Sequence, residues 1–329
     1  MSLSLTESEA LFGRMLDGGM TDDEIRDTLL ALADQGETAE EIAGAAQAMR
    51  ARMVRIAAPE GAIDVCGTGG DGSHSLNVST AVALVVAACE VPVAKHGNRA
   101  ASSRAGAADT LEALGLDLAR AAAHAEATLA DLGICFLFAQ AHHPALKPIM
   151  PIRREIGRRT IFNLLGPLCN PASVRRQLVG VSHPSLIATY AKAITLLGAD
   201  DVMVVAGDEP MDELSVSGPS SVARVTALSD TEPRIVRLTP GDAGIAEHPR
   251  EALRGGDAAY NAAALRRLLM SETETAQDRA YRDAVLFNSA AALMVAGHAD
   301  DWQSGVEEAA EAIDKGLAKA LLDCWIAWE

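Results

Sequence analysis

The chain reads as an α/β protein: a small N-terminal all-helical domain over residues 1–60, then a large α/β domain over 61–329 with a mainly parallel central sheet flanked by helices. Three observations predict this. Apolar residues recur at helical spacing over 5–16, 22–33 and 39–57. From Gly61 the pattern changes to short apolar runs alternating with helical segments, the sign of parallel strands joined by crossover helices. Hydrophobic residues make up 49% of the chain but aromatics only 3%, which suits a closely packed, helix-rich Ala/Leu/Val core. At 329 residues the chain can bury a large core in one or two domains.

In the helical segment, Gly18-Gly19 and Gln35-Gly36 separate the helices. Thr21 and Thr38 are expected N-caps, each followed three residues later by a glutamate, Glu24 or Glu41, placed for a capping box. So short a segment is too small for an independent core and is expected to pack on a partner or on the rest of the chain. Leu11, Leu29, Leu30, Leu32, Ile42 and Met49 supply more apolar surface than three free helices should expose, and such patches mark interfaces.

Beyond Gly61, strands are expected over 62–66, 91–95, 134–138, 177–181, 202–206, 223–226 and 234–238, with helices such as 77–90, 119–132 and 185–197 between them. Residues 231–254, rich in Pro, Gly and charge, read as a surface excursion, and the chain from Tyr260 onward as two or three helices.

The chemistry concentrates in residues 64–109. Gly67-Thr68-Gly69-Gly70-Asp71-Gly72 places four glycines in six positions after a strand, so backbone N–H groups can approach a ligand with no Cβ in the way. The next helix is expected to start near Asn77, Val78, Ser79 and Thr80, where a side chain can cap and the free N–H groups and dipole favour an anion. Lys95 and Arg99 are expected just past the second strand, on the sheet edge where α/β proteins bind ligands. Asp71 is an odd neighbour for a phosphate unless it meets a ribose hydroxyl or a metal. The loop fits G-x-G-x-x-G through Gly67, Gly69 and Gly72, but the helix starts too late and the second strand ends in Lys95-His96 rather than an acid, which argues against a dinucleotide site. No Gly-Lys-Ser/Thr follows, so a Walker A loop is excluded.

Two further segments carry charge. Arg153, Arg154, Arg158 and Arg159 form a basic cluster; an arginine fork suits a carboxylate, and the plainer reading of Arg154 and Arg158 is a solvated face paired with acids. Met211-Asp212-Glu213-Leu214-Ser215 follows the expected strand 202–206; paired acids there are hard-oxygen ligands apt for Mg²⁺ beside phosphate oxygens, or simply an acidic turn. The net charge of −17 argues against nucleic acid as a partner and requires any anion site to be built locally. The five cysteines are scattered without metal-like spacing, and no signal sequence or apolar run of membrane-spanning length is read, so a cytoplasmic protein with no membrane partner is expected.

Gly67-Thr68-Gly69-Gly70-Asp71-Gly72, then Asn77-Val78-Ser79-Thr80, then Lys95-His96-Gly97-Asn98-Arg99, in that order and spacing, closely resemble the anthranilate phosphoribosyltransferase family. The resemblance extends to Leu16-Asp17-Gly18-Gly19, to the run from Gly36 to Ile42 and to the Arg153 region; it is weakest over 231–256 and in the last twenty or so residues. It implies transfer of the phosphoribosyl group of phosphoribosyl pyrophosphate (PRPP) to the amine of anthranilate, the second step of tryptophan biosynthesis from chorismate. PRPP contacts are implied at Gly67, Gly70, Asp71, Ser75, Asn77, Val78, Ser79, Thr80, Lys95, His96, Gly97, Asn98, Arg99, Ala100, Ala101, Ser102, Ser103 and Ala107. Anthranilate contacts are implied at Gly67, Asn98, His143 and Arg153, with Lys95, Asn98 and Arg153 carrying the catalysis. Ser79, Asp212 and Glu213 are implied to hold Mg²⁺, two ions per subunit. The family commonly has Ser on both sides of the glycine at Gly106, where this chain has Ala105 and Ala107, so a phosphate-contacting hydroxyl is missing. The resemblance also implies a homodimer formed through the helical domain, with the acceptor in the cleft between domains. A pyrimidine nucleoside phosphorylase and a non-catalytic nucleic-acid-binding relative of the same fold are the alternatives; the acid pair and Asn98 favour PRPP over the first, and the acidic balance opposes the second.

Overall fold

The computed structural model describes residues 2–100, 104–209, 211–227 and 233–328. The N-terminal helices start where capping side chains meet the free backbone donors of a first turn. Thr21 and Glu24 exchange side-chain and backbone hydrogen bonds at the start of α2 (Asp22–Gln35), and Thr38 and Glu41 do so at α3 (Ala39–Arg50). Ser4 and Glu7 form the same box ahead of α1 (Leu5–Leu16). Helix α3 stops at Arg50 rather than continuing to residue 57. The following chain gives its N–H groups to the α/β domain instead, Val54 to the His142 carbonyl at 2.8 Å and Ile56 to that of Pro171 at 3.2 Å.

The α/β part runs in order β1 (Ile63–Gly67), α4 (Val78–Ala88), β2 (Val93–Gly97), α5 (Ala107–Leu114), α6 (Leu118–Ala123), α7 (Ala125–Leu132), β3 (Ile134–Phe138), α8 (Ala139–His142), α9 (Ile149–Ile156), β4 (Arg176–Gly180), α10 (Ile187–Leu196), β5 (Asp201–Gly207), β6 (Ser220–Thr226) and β7 (Ile235–Leu238). Helices α11 (Ala258–Leu269), α12 (Ala276–Ala296), α13 (Trp302–Asp314) and α14 (Leu317–Ala327) complete it. The sheet order is β3-β2-β1-β4-β5-β6-β7, parallel from β3 to β5 and antiparallel at β6 and β7. Strand order reverses at β1, which is flanked by β2 on one side and β4 on the other, so the ligand crevice lies at the carboxyl ends of β1 and β4.

Several boundaries differ from expectation for local reasons. The helix expected over 119–132 divides at His124, whose φ of −118° is not helical. The C-terminal region holds four helices rather than two or three, because Thr275 and Asp301 each cap a new start and Gly316 separates the last pair. Lys95 lies inside β2 rather than past it.

The helical segment shares its core with the sheet. Phe12, Leu29, Ile42 and Met49 join Ile152, Phe162, Tyr190 and Val204 in one apolar cluster. This corrects the expectation of surplus apolar surface: Leu29, Leu32, Ile42 and Met49 are buried within the chain, and only Leu11 and Leu30 stay half-buried. The reason is that α3 lies on α10, and α2 on α9, consuming the apolar faces.

Candidate active site

The glycine loop leaves β1 at Gly67, which pairs in register with Gly180 at the end of β4. The segment carrying the acid pair, which follows β5, crosses directly over both. A Cβ on Gly67 would stand 2.0 Å from Asp212 Oδ2, and one on Gly180 1.4 Å from the Asp212 carbonyl oxygen. Only glycine at both strand ends lets the acid pair reach the crevice. The loop then turns through Gly69, Gly70 and Gly72, with φ of +67°, +77° and +72°.

Backbone donors of the loop are aimed at the acids. Gly69 N–H donates to Asp212 Oδ2 at 2.7 Å. Asp71, whose place in an anion loop was unexplained, accepts from Ser73 N–H at 3.1 Å and from Asp212 N–H at 3.3 Å, tying the loop to the crossing segment. At the start of α4, Ser79 N–H donates to Glu213 Oε1 at 3.2 Å. Asn77 stands at the cap position but does not cap. Its Oδ1 accepts from Thr110 and Asn261 and its Nδ2 donates to the Ala105 carbonyl, so its side chain is a structural junction. Val78 and Thr80 are buried, and the Thr80 hydroxyl has no protein partner.

Lys95 is almost fully buried beneath the loop, where Nζ donates to the Val65 carbonyl at 2.8 Å and to Ser79 Oγ at 3.3 Å. Burial lowers its ammonium pKa, while Asp64, Cys66 and Glu213 oppose that fall. Asp64, fully buried in β1, accepts from Asn170 Nδ2 at 2.8 Å and from His96 N–H at 3.1 Å. Burial raises its pKa against the pull of Lys95.

Asp212 is pushed up to about 7, first by burial and then by the charge of Asp71. Burial, then Asp212 and Asp71, raise Glu213 well above the usual carboxylate range. Glu213 Oε2 is buried without a hydrogen-bond donor. Two adjacent, half-buried carboxylates, one with a buried oxygen that has no donor, suit a hard divalent cation such as Mg²⁺. Among the described residues no group of three or more His, Cys, Asp or Glu side chains is arranged to hold a metal alone, so an ion here needs oxygens from a ligand as well.

After β2 the implied residues diverge. Gly97 ends the strand, and Asn98 Oδ1 accepts from Arg99 N–H at 2.8 Å. The Arg99 guanidinium is turned onto α5, where Glu112 and Asp109 bind it and raise its pKa; its charge is spent there. Ala100 N–H donates to Asp109 Oδ2 at 2.9 Å. Ala101, Ser102 and Ser103 lie outside the described residues. Ala107 is the first residue of α5. Ser75, in the loop, forms an isolated antiparallel bridge with Arg254.

His143 reaches His96, their Nε2 atoms 3.3 Å apart, while His96 Nδ1 contacts the Gly166 carbonyl at 2.9 Å. Burial pushes His96 down to about 3 and His143 to about 4. Arg153, on α9, lies 5.4 Å over the Phe162 ring centroid and meets no carboxylate among the described residues. Its neighbour Arg158 pairs with Asp34 at 2.5 Å, as the plainer reading expected, and among the described residues Arg154 bonds only the Met150 carbonyl. No hydrogen bond or ion pair joins Arg153 to the glycine loop among the described residues.

Three supporting residues went unassigned from the sequence. Asp64 accepts from His96 N–H, and Asn170 donates to Asp64 and to the Ala94 carbonyl, which fixes β2 on either side of Lys95. Asn288, on α12, clamps Leu214 beside the acid pair, accepting from its N–H at 2.9 Å and donating to its carbonyl at 3.0 Å. The available signal was a polar residue in an otherwise apolar strand or helix.

Comparison with known proteins adds the following. The helical bundle domain of a glycosyl transferase family matches residues 1–53, and the a/b domain of that family matches residues 59–319. An anthranilate phosphoribosyltransferase of Novosphingobium aromaticivorans is 64% identical over 325 residues, covering 99% of this chain and 96% of the relative. The crystal structure of anthranilate phosphoribosyltransferase from Thermus thermophilus superposes with a TM-score of 0.90 at 40% identity, covering 99% of this chain and 96% of that one. The Saccharomyces cerevisiae enzyme, in complex with PRPP and Mg, superposes at 0.88 with 27% identity, covering 99% and 93%.

Proposed function

This chain belongs to the anthranilate phosphoribosyltransferases of the glycosyl transferase family, and on that premise we propose how its residues divide the work. The enzyme transfers the phosphoribosyl group of PRPP to the amine of anthranilate, giving N-(5-phosphoribosyl)anthranilate and pyrophosphate. The observation that carries the division is the acid pair laid across the glycine loop, with Asp212 on Gly69 N–H and Glu213 on Ser79 N–H.

PRPP is held over the glycine loop and the start of α4, where the glycines keep Cβ atoms out of the way and Lys95, bonded to Val65 and Ser79, brings an amine up from below. Asp212 and Glu213, with Ser79, would hold Mg²⁺, two ions per subunit, which supplies charge neutralisation for the departing pyrophosphate. Arg153, a cation of α9 that meets no carboxylate among the described residues, holds the acceptor carboxylate, and Asn98 and His143 border the acceptor. An aromatic amine is neutral near pH 7, so it attacks without a strong base, and no covalent nucleophile is needed. Most of the rate enhancement then comes from positioning and from charge stabilisation by preset donors.

The working unit is a homodimer in the cytoplasm. Support for the dimer is the family resemblance of the helical segment; the four buried cysteines are all free, in keeping with a reducing compartment. No helix among the described residues is long and apolar enough to cross a membrane. Mass spectrometry of the product formed from PRPP, Mg²⁺ and anthranilate tests the reaction: the phosphoribosyl adduct supports it, and unchanged anthranilate rejects it.

A further inference from the structure

Beside the glycine loop lies a second pocket, open to solvent, lined by Ser73 and Ser75 of the loop, Ser215 and Ser217 after the acid pair, and Arg250 and Arg254. Of these, only Ser75 belongs to the residues expected to hold PRPP, and both arginines fall in the stretch where the family resemblance is weakest. We propose that this pocket is an oxyanion subsite for a small inorganic phosphate-class anion, adjoining the PRPP site and sharing only Ser75 with it.

The hydrogen-bond inventory points to an acceptor-rich ligand. Ser73 Oγ donates to Ser75 Oγ at 3.3 Å, and Ser215 Oγ accepts from Ser217 N–H at 3.0 Å. The hydroxyl protons of Ser75, Ser215 and Ser217 are then left without an acceptor among the described residues. These three hydroxyls, from two segments of the lining, can donate to an oxygen-bearing ligand.

The charges agree. Arg254 makes no side-chain hydrogen bond and no ion pair among the described residues, in a protein of net charge −17 where carboxylates outnumber cations. Its backbone is nonetheless fixed: it bridges to Ser75, its N–H donates to the Glu251 carbonyl at 3.1 Å, and its own carbonyl accepts from Gln277 Nε2 at 3.0 Å. Arg250 meets Glu209 only at 3.5 Å, a loose pair that leaves most of the guanidinium edge free. The lining therefore counts two exposed arginines against one carboxylate, Glu209. A planar fork beside hydroxyl donors matches tetrahedral oxyanions.

The position suggests the source. Ser73 and Ser75 belong to the loop that carries Asp71, and Ser215 and Ser217 to the segment that carries Asp212 and Glu213, so the pocket adjoins the place where pyrophosphate departs. The released pyrophosphate and free phosphate share the required chemistry. The choice of source rests on the proposed PRPP site; the anion chemistry of the pocket does not.

Equilibrium dialysis of the full chain tests this, with PRPP and Mg²⁺ present, anthranilate absent, and labelled pyrophosphate or labelled phosphate added in separate arms. The expected result is one further anion per PRPP-loaded chain, bound about tenfold more weakly or worse in Arg254→Ala and in Arg250→Ala, with the KM for PRPP unchanged. Binding of pyrophosphate alone identifies a product subsite, and equal binding of phosphate a general one; both support the pocket. The proposal is overturned if no further anion binds, or if both variants bind it as the parent does. Should phosphoribosyl transfer itself fail, dialysis with phosphate alone still reads the pocket, so the two failures are separable.

Discussion

Asp212 Oδ2 takes the backbone N–H of Gly69 at 2.7 Å. The same oxygen stands 2.0 Å from where a Cβ on Gly67 would lie, so the loop and the acid pair are fitted to each other rather than merely adjacent. At Gly180 the obstruction is backbone, the Asp212 carbonyl oxygen at 1.4 Å, which cannot rotate away. Gly180→Ala is therefore expected to destabilise the chain by about 3 kcal/mol, the upper end for overpacking, and to abolish turnover. Urea denaturation reads the first effect; an unchanged midpoint would mean that the crossing segment is free to lift.

Replacing Asp212 by Asn together with Glu213 by Gln is expected to raise the Mg²⁺ concentration needed for half-maximal activity. The same change removes the desolvation and mutual repulsion that raise both carboxyl pKa values, so the metal-free variant is expected to melt at a higher temperature than the metal-free parent. A Mg²⁺ titration identical to the parent's would reduce the pair to an acidic turn.

Asn288→Ala tests positioning without touching a proposed ligand. Asn288 is buried and makes hydrogen bonds to both backbone groups of Leu214 and to the Ala284 carbonyl. Its loss is expected to cost about 1–3 kcal/mol of stability and to shift the Mg²⁺ requirement in the same direction as the acid-pair variant. A stability loss with the Mg²⁺ curve unmoved would make it structural only.

Arg153→Ala is expected to cost about 2–5 kcal/mol on the acceptor side, read as kcat/KM for anthranilate, with PRPP binding little changed. Equal anthranilate kinetics in variant and parent would place the acceptor carboxylate elsewhere.

The His96–His143 pair sets an acid limit. Burial holds His96 near about 3 and His143 near about 4 in the folded chain, against about 6.5 when unfolded. The unfolded chain thus binds more protons in that window, so the stabilising contribution is complete above about pH 6.5 and is lost as pH falls toward 4. The urea midpoint is expected to drop between about pH 7 and pH 5, and to drop less in His143→Gln; parallel curves for the two proteins would remove the pair from the explanation.

Much of this was legible in the sequence because it is periodic or local. The capping boxes at Thr21 and Thr38, the alternation from Gly61 onward and the glycine loop are patterns of neighbouring residues. What stayed hidden depends on contacts between distant segments. The pairing of Arg99 with Asp109 and Glu112 needed α5 to bring those acids to it. Asn77 looked like a cap until Thr110 and Asn261 claimed its oxygen. The apolar residues of α2 and α3 looked like an interface because the helices that cover them, α9 and α10, lie far along the chain. Light scattering at micromolar concentration now tests the dimer apart from that surface: a dimer mass supports it, and a monomer mass that persists as concentration rises rejects it.

The most direct test is to follow anthranilate fluorescence with PRPP present, with and without Mg²⁺, while counting pyrophosphate released. The expected result is Mg²⁺-dependent loss of fluorescence, with one pyrophosphate formed for each anthranilate consumed. Stable fluorescence under these conditions, with phosphate-dependent cleavage of a pyrimidine nucleoside in its place, would contradict it.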